Sequence, residues 1–383
     1  MPATARIVVA GGGVGGLALA QALRRGGLDV AVYERDRTPQ IRNQGYRIHI
    51  DHNGNDALRT CLPAETLDLV RRTSGKNDDV LAAYTQQLEH VMAQTFPGIP
   101  DDEITCVDRN TFRRGLLTDL TDVVHFGRTV AGYRLTGSGR VRVEFAEGGH
   151  EVADLLVGAE GVGSPVRRQL LPHATVRDLG VRCIYGRMTI TETTGVLIPE
   201  VLRRGLSWVA DQTGYGAGFA PVRFRTRPES SPDYLMITLI ASPERLGVPD
   251  EQLFALPPAE LWKIAVGAVA DWHPAIRDVL AHADQDTFFP ITFRTAERVD
   301  AWDAGPVTLL GDAIHTMPPT AGAGANTALQ DAATLAGQLL AAAPGETSLV
   351  DAVAAYERVM LPRGFDNVDE SLRRASQMLG IAG

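Results

Sequence analysis

The sequence predicts an α/β protein: a discontinuous domain built on a parallel sheet, with a second, mainly β-sheet domain inserted into it. Three observations lead there. An apolar run at residues 7–10 passes through "GGGVGG" into a stretch with helical Leu and Ala spacing, the strand–turn–helix that opens a βαβ unit. A second buried run, residues 307–310, ends in Gly311-Asp312 and is followed by alanine-rich helical segments, so the chain returns to the first domain near its end. Between them, residues 181–293 are rich in strand patterns.

Taken in order, Gly11 permits the tight turn, Gly13 removes a side chain where a pyrophosphate must approach, and Gly16 lets helix and strand pack closely. The amides at the helix start then face an anion. A second strand, 30–33, ends in Glu34, whose carboxylate suits a ribose diol; an acid roughly 20 residues past the turn completes the dinucleotide pattern. Arg35 beside it is a further candidate. At this point FAD and NAD are both open. Residues 46–50 read as extended, with a turn at Asn53-Gly54 and a helix from about Asp56. Strands at 80–84 and 89–94 suit another layer. The stretch "VDRNTFRRGLLTDL" has helical spacing through Phe112, Leu116, Leu117 and Leu120, and the following segment reads as strands joined by turns at 137–139 and 148–149, with 155–159 buried. Strands at 183–190 and 234–240 and a helix at 257–269 make up the insert, and helices at 327–341 and 348–360 close the chain. The expected division is 1–72, 98–178 and 294–383 for the first domain, and 73–97 and 179–293 for the second.

A net charge of −9 argues against nucleic-acid and polybasic membrane roles and favours small organic ligands. Cys61, Cys106 and Cys183 are scattered, with neither zinc spacing nor a disulfide framework, and the histidines show no His-x-x-x-His, so no metal is expected. The N-terminus carries no signal-peptide pattern and no run reaches membrane-helix length, which leads us to expect a cytoplasmic protein. The most informative stretch is "VTLLGDAIHTMPPTAGAGANTALQDA". Asp312 falls at the C-terminal edge of a strand, where α/β folds place ligands. Pro318-Pro319 forms a rigid wall, and Gly322-Ala323-Gly324-Ala325-Asn326 opens a helix whose amides can stabilise partial negative charge.

Together these motifs resemble the class A flavoprotein monooxygenases, the p-hydroxybenzoate hydroxylase-like FAD-dependent aromatic hydroxylases, with the tetracycline-inactivating and polyketide-hydroxylating branches nearest in motif. "GGGVGG" with Glu34 matches the first FAD motif of that family, "VGAEGVGSPVR" its central motif and "GDAIHTMPPTAGAGANTALQDA" its second FAD motif. The resemblance implies a Rossmann-like FAD-binding domain and a substrate domain. It implies that Glu34 binds the adenosine ribose and Asp312 the ribityl chain, with Pro319 and Gly322 to Asn326 bordering the isoalloxazine. Arg42 matches an arginine near the phosphate or ribose, Arg113 one reaching toward FAD near the flavin, and Arg109 is a possible partner. The chain departs from the family at Ala159-Glu160-Gly161, where relatives commonly have Ala-Asp-Gly; that acid is credited with supporting both FAD and the nicotinamide. Arg167 and Arg168 follow it.

The implied reaction has NADPH or NADH reduce FAD, dioxygen form a C4a-hydroperoxide, and oxygen pass to an electron-rich aromatic or polycyclic small molecule of specialised metabolism. The flavin-proximal loop (Pro319, Gly322, Gly324, Asn326) is the candidate catalytic region. His315 and His49 are the best histidines for a proton relay, although either suits a structural role. Arg182, Tyr185, Trp208, Phe219, Met236 and Phe293 are candidate substrate contacts. A monomer or homodimer is expected. A reductase or dehydrogenase of the same superfamily, or a non-catalytic FAD-binding scaffold, uses the same motifs; a halogenase fits poorly, because no Trp-x-Trp-x-Ile-Pro occurs.

Overall fold

The computed structural model describes residues 5–39, 46–76, 80–96, 98–343, 345 and 347–380. Its first sheet has five parallel strands in the order Val307–Leu309, Leu155–Gly158, Arg6–Ala10, Asp29–Glu34, Val124–Phe126. In the centre, Val9 lies between Val157 and Val32. Residues 7–10 are completely buried, which explains why the run is continuously apolar: a parallel sheet covered on both faces carries no polar alternation. Helices Val14–Arg25, Gly324–Ala342 and Leu349–Leu379 pack in sequence beside it. A three-stranded antiparallel meander, 130–153, sits alongside.

The second sheet has seven strands, in the order Phe289–Ala296, Val176–Thr189, Tyr234–Ala241, Gly216–Val222, Leu206–Ala210, Val80–Thr85, His90–Thr95. Only the Leu206–Ala210 and Val80–Thr85 pair is parallel. Strand alternation divides its side chains into two layers. Ile184, Phe219, Leu235 and Ile237 pack under helices Pro258–Ala268 and Pro274–Ala281. Cys183, Tyr185, Ala220, Met236 and Phe293 form the opposite layer, against which Tyr46 of the first domain packs.

Two elements differ from the sequence expectation. Asn53-Gly54 is not a turn: the helix runs His52–Cys61, and the Asp51 side chain caps it by accepting from the Gly54 amide at 2.8 Å. Gly54 is required by close approach instead, since a Cβ there would come within 2.1 Å of Asn326 Oδ1. The last helix does not stop at 360 but spans 31 residues with Pro362 inside. An interior proline costs about 3 kcal/mol, and burial of the neighbouring Met360, Leu361 and Phe365, each contributing about 1.5–3 kcal/mol, offsets it.

Candidate functional site

A cleft of about 1470 Å³ runs between the two sheets. Its first wall is the glycine turn. Gly11 has φ +108°, and a Cβ there would sit 2.3 Å from the Ala159 carbonyl; at Gly16 a Cβ would strike the Gly11 carbonyl at 2.2 Å. At Gly13 a Cβ would meet nothing within 4 Å, so this position opens directly onto the cleft. Gly13 caps the helix without a side-chain bond, leaving the first-turn amides open.

Glu34 and Arg113 hold this turn from behind. Glu34 accepts from the Gly12 amide at 2.7 Å and from the Asp36 amide at 2.8 Å. A carboxylate offers about four acceptor positions, so two remain for a diol. Arg113 is buried on the helix Arg109–Leu116; its Nε donates to the Gly12 carbonyl at 2.8 Å and its Nη2 lies 3.5 Å from Glu34 and 3.8 Å from Asp36. Burial lowers its pKa, and the two carboxylates oppose that shift. Arg109, one helical turn earlier, lines the cleft, stacks over Tyr46 at 5.5 Å, and keeps a buried Nη1 with no hydrogen-bond partner among the described residues. Arg35 also lines the cleft, whereas Arg42 lies outside the described residues.

The second wall is the loop after Val307–Leu309. Gly311 has φ +62°, and Asp312 is exposed to the cleft; the protein atoms crowded around it desolvate the carboxyl and raise its pKa, against the pull of His315 and Arg109. Pro319, Gly322, Gly324 and Ala325 line the same wall, and the helix Gly324–Ala342 begins there without a side-chain cap. Ala323 and Asn326 do not line it. Asn326 instead bolts the wall in place, its amide donating to the His49 and Gly322 carbonyls and accepting from the Asp51 amide. His315 is wholly buried behind the wall, 2.6 Å from Asp331, whose other oxygen pairs with Arg363. Burial opposes the imidazolium, but Asp331 outweighs it and raises the His315 pKa. This places His315 as a brace rather than on a proton path to the cleft. His49 does line the cleft, and burial, followed by Arg47, lowers its pKa.

Glu160 and Gly161 border the cleft between these walls. The Ser164 hydroxyl donates to Glu160 at 2.6 Å, and burial pushes the carboxyl pKa up to about 7 against that bond. Arg167 is turned inward, donating to the Ala313 carbonyl at 3.0 Å, whereas Arg168 reaches the cleft.

The third wall is the seven-stranded sheet. Tyr185 and Met236 line the cleft; Tyr185 stacks on Phe289 at 5.5 Å and packs against Tyr46 at 5.2 Å. The other candidates lie elsewhere. Phe219 belongs to the helix-covered face, because strand alternation turns it away; Phe293 is buried within the layer, and Trp208 lies over Gly216. Arg182 braces two cleft residues, bonding Asp178 and Asp250 at 2.8 Å. Sequence reasoning missed Arg47, Arg128 and Arg374, all on the cleft. Arg374 was detectable only by carrying the helical pattern past Pro362; Arg47 sits in the quoted "GYRIHI" with no signal separating it from a surface arginine.

Known proteins resemble this chain in sequence and in fold. The FAD binding domain family matches residues 266–371, and an NAD(P)-binding Rossmann-like domain matches 9–55. A Rhodococcus erythropolis protein provisionally named as a 2-heptyl-3-hydroxy-4(1H)-quinolone synthase is 30% identical over 86% of this chain and 78% of its own length. The chain belongs to the class A flavoprotein monooxygenases. FAD is the cofactor of that family. A Cercospora beticola dual O-methyltransferase/FAD-dependent monooxygenase is 30% identical over 98% of this chain, which spans only 46% of that protein. A crystal structure from Photorhabdus luminescens, provisionally described as an FAD-containing monooxygenase, superposes with a TM-score of 0.84 at 29% identity, covering 98% of this flavoprotein and 99% of the other chain. Among the described residues of this chain, no helix is long and apolar enough to cross a membrane, and no three His, Cys, Asp or Glu side chains gather as a metal site.

Proposed function

We propose that the cleft holds FAD and hydroxylates an aromatic or polycyclic small molecule, with NADPH or NADH as reductant and O2 as the oxygen source. The observation that carries this reading is convergence: two uncapped helix starts, the Glu34 and Asp312 carboxylates and an aromatic sheet face all border one cleft. The donor set fits the cofactor. Glu34 keeps acceptor capacity for the adenosine ribose, the open position at Gly13 suits the pyrophosphate, and Asp312 suits the ribityl hydroxyls. The unpartnered Arg109 Nη1 is a donor awaiting an acceptor in the same region. Pro319, Gly322, Gly324 and Ala325 would border the isoalloxazine, where uncapped amides favour negative charge on the reduced ring. When bound, FAD supplies the electron relay from the nicotinamide to dioxygen. The protein's own part is to orient the ring of the substrate against Tyr185 and Met236 and to exclude water from it.

The test begins with the purified holoenzyme, reduced anaerobically by NADPH or NADH and then exposed to 18O2 with a panel of phenols and quinolones. Flavin reduction followed by a product carrying one 18O is expected. Reduction with oxygen consumed and no label in any organic product would replace the hydroxylase by a reductase, and flavin that neither nucleotide reduces with or without panel members would remove the nicotinamide.

A further inference from the structure

The cleft face of the second sheet continues beyond Tyr185 and Met236. Met236, Leu206 and Leu81 line the cleft from successive regions of the sheet, and Gly218 and Ala220 on the intervening strand keep the surface shallow between them. The last strand, His90–Thr95, pairs antiparallel with Val80–Thr85, placing Gln94 opposite Leu81 and Met92 opposite Ala83. Directly opposed residues share a face. Met92 therefore stands on the cleft side, as does Phe96 two positions past Gln94, which itself lines the cleft. Met92 is 47% and Phe96 43% exposed. A mainly apolar lane, broken only by Gln94 beside Leu81, thus leads from the reaction end of the cleft to the free edge of the sheet.

Two features of this lane call for an occupant. None of the five strands that make it (234–241, 216–222, 206–210, 80–85, 90–95) contains Asp, Glu, Lys or Arg. The edge strand carries one protection against further pairing, an irregularity at Val91 between the Ala83–Met92 and Tyr84–His90 pairs, but no charge or proline, and half-exposed apolar side chains on a neutral edge mark a contact surface. The lane is also continuous with the cleft through Phe96, which ties its occupant to whatever the cleft holds.

We propose that the substrate carries a hydrocarbon tail on its aromatic head, and that the tail lies along Leu206, Leu81, Phe96 and Met92 while the head rests near Tyr185. This rests on the reading that the cleft takes an aromatic substrate. The probes are 4-n-alkylphenols from ethyl to octyl, titrated into the oxidised holoenzyme and followed by the flavin absorbance change. A fully buried methylene is worth about 0.8 kcal/mol; a tail covered on one side gains about half of that, so Kd should tighten about twofold with each added methylene. Met92→Glu should flatten that dependence for hexyl and longer chains while leaving the ethyl compound unchanged.

Ethylphenol binding with no dependence on chain length overturns the tail site and leaves the aromatic-substrate reading intact. No flavin response across the whole series overturns both. A holoenzyme dimer that Met92→Glu converts to monomer would show a second copy covering the lane, which also overturns the proposal. The same lane occupied by a bilayer would appear as binding of the holoenzyme to neutral phosphatidylcholine vesicles with a flat alkylphenol series, and would refute it equally.

Discussion

Replacing Arg113 by Met keeps most of the apolar stem and removes the charge and its bonds. The structure sets the magnitude. One well-formed bond, Nε to the Gly12 carbonyl at 2.8 Å, is lost, together with a longer one from Nη1 to the Pro39 carbonyl at 3.3 Å and two looser ion contacts at 3.5 and 3.8 Å. A hydrogen bond to a charged group is worth about 1.5–3 kcal/mol, and breaking an ideal buried pair costs about 3–5 kcal/mol. Because these ion contacts are long, the loss belongs at about 2–3 kcal/mol. Much of it should appear in FAD affinity, since Arg113 and Glu34 fix the turn that would contact the ribose and pyrophosphate. FAD Kd, measured by fluorescence quenching on apoprotein, should rise at least about tenfold. Arg113→Lys should recover little, because an ammonium cannot reach both the carbonyl and the carboxylates in one geometry. An FAD Kd in R113M within about twofold of wild type, with an apoprotein of lower thermal stability, would show instead that Arg113 braces the helix alone.

Further expectations can be checked on the same preparations. Asp312→Ala should lower the flavin-to-protein ratio after gel filtration more than any single substitution on the sheet face; full occupancy would contradict the role of the Gly-Asp loop. Glu160, at a pKa of about 7 against an ordinary 4.5, holds a proton in the folded apoprotein that the unfolded chain releases, so stability falls as pH rises from 4.5 to 7. Glu160→Gln should remove that slope, at most about 3 kcal/mol in urea unfolding across the interval, and an unchanged slope would discard the burial argument. The raised pKa of His315 contributes stability that is complete below 6.5 and is lost as pH rises through the folded value, whereas the lowered pKa of Asp331 contributes above 3.8 and fails as pH falls through its folded value. Asp331→Asn should therefore cost about 3 kcal/mol near neutrality and abolish the alkaline loss, as read from unfolding between pH 5 and 9. Phe219→Leu should reduce stability without altering KM, and Tyr185→Leu should raise KM; the reverse pattern would mean that the two sheet faces are exchanged.

The parts of the site visible in sequence are those where backbone geometry restricts residue choice. Gly11 and Gly16 are required by carbonyls within 2.3 Å of any added Cβ, and such constraints leave a recognisable spacing. The substrate face was not visible, for a physical reason. Strand Tyr234–Ala241 is buried at all eight positions, so polarity does not alternate and nothing in the residues distinguishes Met236, which faces the cleft, from Leu235, which faces the helices. Phe219 was misplaced by this same ambiguity. Asn326 and His315 were expected at the flavin because they lie within the motif, yet the chain uses them to join segments far apart in sequence. The Arg374 position was hidden by Pro362, where local propensity and tertiary packing disagree and packing prevails.

The braces behind the cleft share one logic. The Gly12 amide is taken by Glu34, the Gly311 amide by Asp331 and the Asp51 amide by Asn326. Each acceptor is a buried side chain brought from another element, and each holds the backbone just before a helix start. Donors used in this way cannot serve a ligand. The helix His52–Cys61 is further capped by Asp51 at the Gly54 amide, so the open first-turn amides at the cleft are those after Gly13 and those at Gly324, where the Asn326 amide holds the preceding turn by donating to the Gly322 carbonyl. Holding the preceding residue rigid fixes where those amides point before any ligand arrives, so little reorganisation is left for binding to drive. On this view a substitution in a brace such as Asp331 should weaken FAD binding without touching FAD, and should slow association less than it speeds release, because the open amides still attract the anion but no longer match it.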